Sequence, residues 1–421
     1  MNTQSARIWF VRPSFLLLVC SALLLATVAI VRAAEESVVD GVVHVSNGTE
    51  PAEGVQTVHM EELWRVGGAD DEETIFGVIN RILTDDRNIY LLDFQLAQVW
   101  VFSHDGQPAG ILGHEGEGPG EFRRPVDMCF LPDGTLGVLQ ALPGKVIKLK
   151  LDGTPAGTWA LGDPAQSGSY VMRGLSQGGG VVVTGGFQQS IDEATGAVTV
   201  ETFLSRLNDA GLRDQTYAVK TVTLQMQNLH LDEVELTDGP HSRFDVAADG
   251  RVVVAIPRNR YEVSVFARDG SLERVFSRDY ESWQRNERAL DIWRRILESH
   301  AQSFPGAPIS YEKTEPDVEQ LRVGPDGSIW ILTSRARWVP PAGVFTSYDV
   351  FSPAGQFQKQ VQVVCPGVPR QDLLFWTGEN LAFMVTGYWE SALARFGGTG
   401  ATIADEDEPE PMSVICYRVV P

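Results

Sequence analysis

From about residue 58 onward, short apolar runs alternate with turn-forming clusters in a regular beat. The runs are four to eight residues long and are bounded by Gly, Asp, Asn and Pro, so they read as strands rather than helices. Two kinds of turn punctuate them. The first kind joins two runs, at Asp86-Arg87-Asn88, Pro132-Asp133-Gly134, Gln177-Gly178-Gly179, Ala248-Asp249-Gly250, Pro325-Asp326-Gly327 and Gly378-Glu379-Asn380. The second kind follows a third run, at Ser103-His104-Asp105-Gly106, Leu151-Asp152-Gly153, Asn208-Asp209-Ala210-Gly211, Arg268-Asp269-Gly270 and Ser352-Pro353-Ala354-Gly355. Such residues supply the positive φ that tight hairpins demand.

Taken as A–B and C–D hairpins, the turns group the runs into six units with strands A to D. They span Phe76–Leu112, Val126–Leu161, Val171–Val222, Phe244–Phe276, Val318–Val364 and Leu373–Val419. Six turns of one kind against five of the other leave the last unit one strand short. Val58–Val66, ahead of the first unit, reads as a strand without a partner. Pairing it with the sixth unit closes a ring and removes an aggregation-prone edge. The expected fold is therefore all-β: a six-bladed β-propeller of four-stranded blades, closed by an N-terminal outer strand.

One crossover carries a fuller motif, Gly116-Glu117-Gly118-Pro119-Gly120-Glu121-Phe122 with Pro125, between units one and two. With the hairpins and runs such as Val99-Trp100-Val101-Phe102, it resembles six-bladed propellers of the NHL-repeat type. The resemblance implies fold rather than activity, because propellers of this kind include binding proteins, lyases and lactone hydrolases. In physical terms the glycines turn the chain from rim to axis, Phe122 plugs two blades together, and Pro125 stiffens the next inner strand.

The N-terminus reads as an export signal: Arg7 and Arg12, an uncharged run Phe15–Val31, then a small-residue cleavage site at Val31-Arg32-Ala33. At seventeen residues the run also approaches the length of a membrane anchor. Residues 1–33 are expected to be signal or anchor, 34–55 a flexible tether and 56–421 the propeller. The location is periplasmic or extracellular, with membrane contact only through an uncleaved 15–31 segment. Asn47-Gly48-Thr49 has the form of a glycosylation sequon but reads as accidental. Net charge is −21 and becomes −24 once the three arginines of residues 1–33 are gone. Such a surface repels phosphate backbones, so nucleic acid is not an expected partner. A monomer binding a small molecule, a peptide or a protein is expected instead.

The long segments Gly186–Glu201, Thr223–His241, Arg278–Asp317, Thr333–Thr346 and Thr386–Met412 all fall at B–C or D–A connections. Those connections share one face of a propeller, and clustered insertions mark a working surface. Within Arg278–Asp317, between blades 4 and 5, Trp283, Leu290, Trp293, Ile296 and Leu297 form a helical stripe. Asp279 or Ser282 would cap that helix, and Pro305-Gly306 would end it. It reads either as a rim helix or as a lid over the channel.

Arginines gather in the same connections: Arg123, Arg124, Arg258, Arg260, Arg335, Arg337 and Arg370. They are candidates to hold an anionic ligand, with Trp338, Tyr388 and Trp389 as stacking surfaces. Arginine outnumbers lysine 28 to 6 throughout, so ordinary pairing with neighbouring acids is the competing account. Asn80, Asp93, Asp127, Arg173 and Glu319 are candidate axial residues. No HExxH, CxxC or Walker sequence occurs, and no cofactor is expected. A lyase or lactone-type hydrolase, with a divalent metal such as calcium, is the alternative reading. It would draw its site from several blades, and His114 beside Glu115 could serve as an acid or base. The acidic stretch Asp405–Glu410 lacks ordered calcium-loop spacing and reads as a solvated loop. Cys365 and Cys416 are placed to form a disulfide, and Cys129 reads as a small buried apolar residue.

Overall fold

The computed structural model describes residues 34–161, 169–302, 304–378, 380–389, 391 and 411–421. The signal segment 1–33 and the acidic stretch 405–410 lie outside these residues. Six antiparallel four-stranded blades follow one another around an axis. Blade 1 contains Ile79–Thr84, Asn88–Asp93, Gln98–Ser103 and Pro108–Leu112. Blade 2 contains Pro125–Phe130, Leu136–Gln140, Lys145–Leu149 and Pro155–Ala160. Blade 3 contains Ser169–Gly178, Val181–Ile191, Val198–Leu207 and Arg213–Leu224. Blade 4 contains Phe244–Val246, Val252–Val254, Glu262–Phe266 and Leu272–Arg278. Blade 5 contains Val318–Val323, Ile329–Thr333, Thr346–Phe351 and Phe357–Val364. Blade 6 supplies only Leu373–Trp376, Leu381–Val385 and Ser413–Val420 from its own stretch of chain.

The sixth blade is completed as expected. Val55–Gly67 lies antiparallel along the C-terminal strand, with Val66 opposite Val414 and Trp64 opposite Cys416. The same strand then runs on beside blade 5, parallel to its outer strand from Val55↔Gln360 to His59↔Val364. Blades 5 and 6 thereby share one continuous sheet.

Packing follows from the twofold period of a strand, because alternate residues point to opposite blade interfaces. Leu91 belongs to the core between blades 6 and 1, whereas Tyr90 and Leu92 belong to that between blades 1 and 2. Six such cores, one per interface, surround the axis. Phe122 is fully buried in the core between blades 1 and 2, as the crossover motif suggested. Its ring occupies the space that a side chain at Gly113 would need, since a Cβ there would come within 2.3 Å of it.

Residues 34–55 are not a tether. Glu35–Val39 and Val42–Asn47 form a hairpin around Asp40-Gly41, both with positive φ. Its second strand lies parallel to Leu272–Arg278, the outer strand of blade 4. The exposed amide and carbonyl edge of that blade recruits the segment, a driving force that composition does not display. Asn47 seals the join. Its Nδ2 donates to Ser277 O and Gly355 O, both at 2.9 Å, and its Oδ1 accepts from Phe357 N at 2.9 Å. The sequon asparagine is thus an internal staple between blades 4 and 5.

The cysteine pairing is also corrected. Cys365 and Cys416 are free thiols. Cys416 faces the core between blades 6 and 1, while Cys365 packs against the core between blades 5 and 6. A sheet stands between them. Cys129 is buried among apolar side chains, as expected.

Two insertions build a rim module. The helix runs Glu287–Ala301 and is capped by Asn286, whose Oδ1 accepts from Ala289 N at 3.0 Å. Neither Asp279 nor Ser282 takes that role, because the helix begins further along than the apolar stripe suggested. Trp283 precedes it and stacks on Trp338 at 5.2 Å. Leu231–Asp232 and Ile309–Ser310 pair in parallel and tie the blade 3–4 crossover to the blade 4–5 crossover. Beneath them lies Arg285, fully buried. It donates to both oxygens of Glu233 at 2.7 Å and to Glu315 at 2.9 and 3.1 Å. Gly186–Glu201 proves to be an extension of two paired strands rather than a loop, as far as Ile191↔Val198.

Candidate functional site: the central channel

The edges of the six inner strands enclose a channel of about 900 Å³. Its wall extends from residues near the strand starts, such as Asn80 and Arg173, to the A–B turns at Gly179, Pro325 and Gly378. In blades 1, 2, 3 and 5, the pairing of the inner strand with its neighbour skips one residue, at Asn80, Val126, Arg173 and Glu319 respectively. A bulge re-aims its side chain. Asn80, Val126 and Arg173 line the channel, so a recurrent irregularity populates its upper end, where the D–A crossovers arrive.

Two carboxylates on the wall are engaged in holding blades together. Asp127 accepts from Met128 N at 2.9 Å and from Leu175 N of blade 3 at 2.8 Å. Asp245 accepts from Val246 N at 2.9 Å, from Ser176 Oγ of blade 3 at 2.5 Å and from Val323 N of blade 5 at 2.8 Å. Burial pushes the Asp127 carboxyl above its usual range, against the pull of Arg81.

The guanidiniums are less occupied. Arg81 Nε stands 3.3 Å from Asp127 Oδ1 without hydrogen-bond geometry, and that charge raises the arginine's pKa. Arg173 is open to channel water but enclosed by the walls. It lies 5.5 Å from the Phe187 ring, and desolvation lowers its pKa. Arg322 sits 4.5 Å over Trp330 and 5.2 Å over Trp376, with its Nε unpaired and its pKa lowered by burial to about 10. Among the described residues neither Arg173 nor Arg322 makes an ion pair.

Other polar atoms at the wall also lack partners. Asn80 donates from Nδ2 to Val126 O at 2.9 Å, which leaves Oδ1 as an unfilled acceptor. His241 Nδ1 and Trp389 Nε1 are buried and unpaired. Burial, then Arg173 and Arg243, bring the His241 pKa down to about 4, so the ring is neutral near pH 7. Tyr388 and Trp389 meet edge to face at 5.0 Å on the blade 6 connection. Arg337 lies 4.0 Å over Trp389 and pairs with Glu319.

Of the ten residues selected from the connections, Arg337, Tyr388 and Trp389 come together at the channel mouth, Tyr388 and Trp389 lining it. The others do not converge. Arg123 pairs with Glu117 at 2.7 Å in the open, Arg124 is exposed with φ +47°, and Arg260 is 3.4 Å from Glu262. Arg258 is buried in the rim module, donating to Thr314 O at 2.8 Å and lying 3.6 Å from Glu233. Arg335 donates to Glu281 O at 2.9 Å, Trp338 is buried against Trp283, and Arg370 is half-buried away from the channel wall. Side chains on connections find acids beside them before they reach the axis. Among the axial candidates, Asn80, Asp127 and Arg173 line the channel. Asp93 instead clamps its own turn, accepting from Gly77 N, Gln95 N and Leu96 N at 2.8 to 3.0 Å. His114 is exposed, 3.5 Å from Glu121 Oε1.

Sequence reasoning missed Arg81, Asp245, His241 and Arg322. The available signal for Arg81, Asp245 and Arg322 was a charge inside an apolar inner strand, which a propeller can accommodate only beside its channel. It also missed the G-x-S-x-G spacing at Gly174-Leu175-Ser176-Gln177-Gly178. That segment is an inner strand rather than a strand-to-helix elbow, and Ser176 donates to Asp245 rather than to a histidine. Among the described residues no three His, Cys, Asp or Glu side chains gather as a metal site, and no helix is long and apolar enough to cross a membrane. Among the described residues of 279–317 none lines the channel, so the helical insertion belongs to the rim.

A family model described as a 6-bladed beta-propeller, DUF5128, matches residues 70–167. No curated protein matches the sequence. Among solved structures, a candidate exported protein of Bacteroides fragilis NCTC 9343 is similar at 10% identity and a TM-score of 0.48, over 90% of this chain and 99% of that one. A DUF4221 member from Bacteroides vulgatus ATCC 8482 gives 10%, 0.47, 86% and 98%. Virginiamycin B lyase from Staphylococcus aureus gives 8%, 0.40, 84% and 98%. At such values no activity transfers from them. This chain is a six-bladed β-propeller by its own sheets and interblade cores, in accord with the family match.

Proposed function

We propose that this propeller is an exported binding protein whose central channel holds a small anionic molecule, a short peptide included. The observation that carries the reading is an imbalance at the wall. Arg81, Arg173 and Arg322 line one channel whose two engaged carboxylates, Asp127 and Asp245, already accept from backbone amides. In a chain of net charge −21, a cationic recess walled by protein concentrates the field on an anion. Tyr388 and Trp389 line the channel mouth and offer stacking faces. Export is supported by Arg7, Arg12 and the apolar run Phe15–Val31.

Calorimetric titration with a panel of carboxylates, from benzoate to citrate, tests the reading. At least one is expected to bind, and Arg173→Gln should weaken it about ten- to hundred-fold, the worth of one charge-assisted contact. Arg335→Ala, outside the channel, serves as the control. Affinities untouched by Arg173→Gln, or no binding by any anion, would refute the proposal.

A further inference from the structure

We propose that Arg322 forms a second anion station at the A–B end of the channel, so that the preferred ligand is a linear dianion held at both ends. This rests on the channel-binding reading and sharpens its ligand class. Arg322 and Trp330 are opposite partners across adjacent strands, and Trp376 of blade 6 reaches the same guanidinium beside Trp330. Trp330 and Trp376 are 5.3 Å apart, so both indoles lie on one flank of the guanidinium, and neither presents a counter-charge. The nearest acids are spoken for. Asp245 is filled as described, and Asp326 accepts from Ser328 N at 3.0 Å and Ser328 Oγ at 2.6 Å. A cation stripped of water without a partner is costly, and an incoming carboxylate relieves that cost. The indoles cover only one flank of the guanidinium and Arg322 lines the channel, so an edge that binds carboxylates bidentately stays available.

The spacing sets the ligand's length. Glu319 holds the bulge position in blade 5 that Arg173 holds in blade 3, and Arg322 follows three residues later. At about 3.3 Å per residue, the Arg173 and Arg322 levels are about 10 Å apart along the axis. A monoanion engages one level. An extended dicarboxylate or a short acidic peptide reaches both.

The test compares decanedioate with decanoate by calorimetry on the mature protein. The diacid is expected to bind at least tenfold tighter. In Arg322→Met, which keeps an unbranched side chain beside the two indoles, that advantage should fall below twofold. Arg322→Lys, the second variant, should retain part of the advantage, and thermal melts check that both variants fold. A short acidic peptide and its C-terminal amide, compared in the same way, tell a peptide from a small diacid as the source. An unchanged diacid advantage in Arg322→Met overturns the second station. Equal binding of diacid and monoacid, with both weakened by Arg173→Gln, overturns it too but leaves the channel reading standing. If neither compound responds to Arg173→Gln, the channel reading itself falls.

Discussion

Replacing Arg285 by alanine should open the rim module without melting the propeller. The arginine side chain is fully buried and makes four side-chain bonds to Glu233 and Glu315, with a fifth to Glu312 O at 3.0 Å. Its guanidinium also lies 4.8 Å from the ring of Trp293, whose Nε1 donates to Glu315 at 2.9 Å. Removing it strands two carboxylates that are 1% and 4% exposed. Breaking a buried pair in this way costs about 3–5 kcal/mol. Arg258, 3.6 Å from Glu233, remains to offset part of that charge, which favours the lower figure. The residues involved lie in the two crossovers, not in a blade core, so the loss falls on local opening. Amide hydrogen exchange in 226–242 and 279–302 is therefore expected to accelerate by about a hundred- to a thousand-fold, at about 1.4 kcal/mol per tenfold. Blade amides such as those of Asn88–Asp93 should keep their rates. The triple change Glu233→Gln, Arg285→Met, Glu315→Gln removes these three charges together and should restore part of the protection, since Arg258 then lacks Glu233. Protection unchanged within threefold in Arg285→Ala would refute the clamp, and a global loss of protection would refute its confinement to the rim.

Two further outcomes follow from burial. Folded His241 titrates near 4 whereas an unfolded histidine titrates near 6.5, so between those values only the unfolded chain gains the proton. Stability from this group is complete above about pH 6.5 and is lost as pH falls toward 4. His241→Gln should flatten that part of the urea-midpoint profile relative to the parent, and parallel profiles would count against it. The thiols of Cys129, Cys365 and Cys416 should all react once residues 34–421 are unfolded without reductant. In the folded protein they should react slowly, because burial raises the pKa of Cys365 and Cys416 to about 12 and that of Cys129 still further up. Recovery of a single thiol after unfolding would restore the discarded disulfide.

Much of the architecture was legible because hairpin turns and strand periods are local. Pro132-Asp133-Gly134 requires no distant partner to bend, and the count of such turns exposed the missing strand of blade 6. The candidate site was legible only in part. Asn80, Asp127 and Arg173 were recognisable as axial residues, but the arginines on the connections were overvalued. Arg258 and Arg335 occur in the right loops yet are spent on Glu233, Thr314 and Glu281, partners distant in sequence.

By itself, then, the sequence determined the beat of strands and turns, the number of blades and the segment that closes the ring. All of these depend on neighbours within a few residues or on the need to pair an open edge. Tertiary structure alone decided which guanidiniums stay unpaired, because that depends on which acids the folded chain brings near. It decided that residues 34–47 bind the rim of blade 4, since an exposed edge elsewhere supplies their hydrogen bonds. It also set Cys365 and Cys416 on opposite sides of a sheet, a matter of strand register that adjacency of two strands cannot reveal.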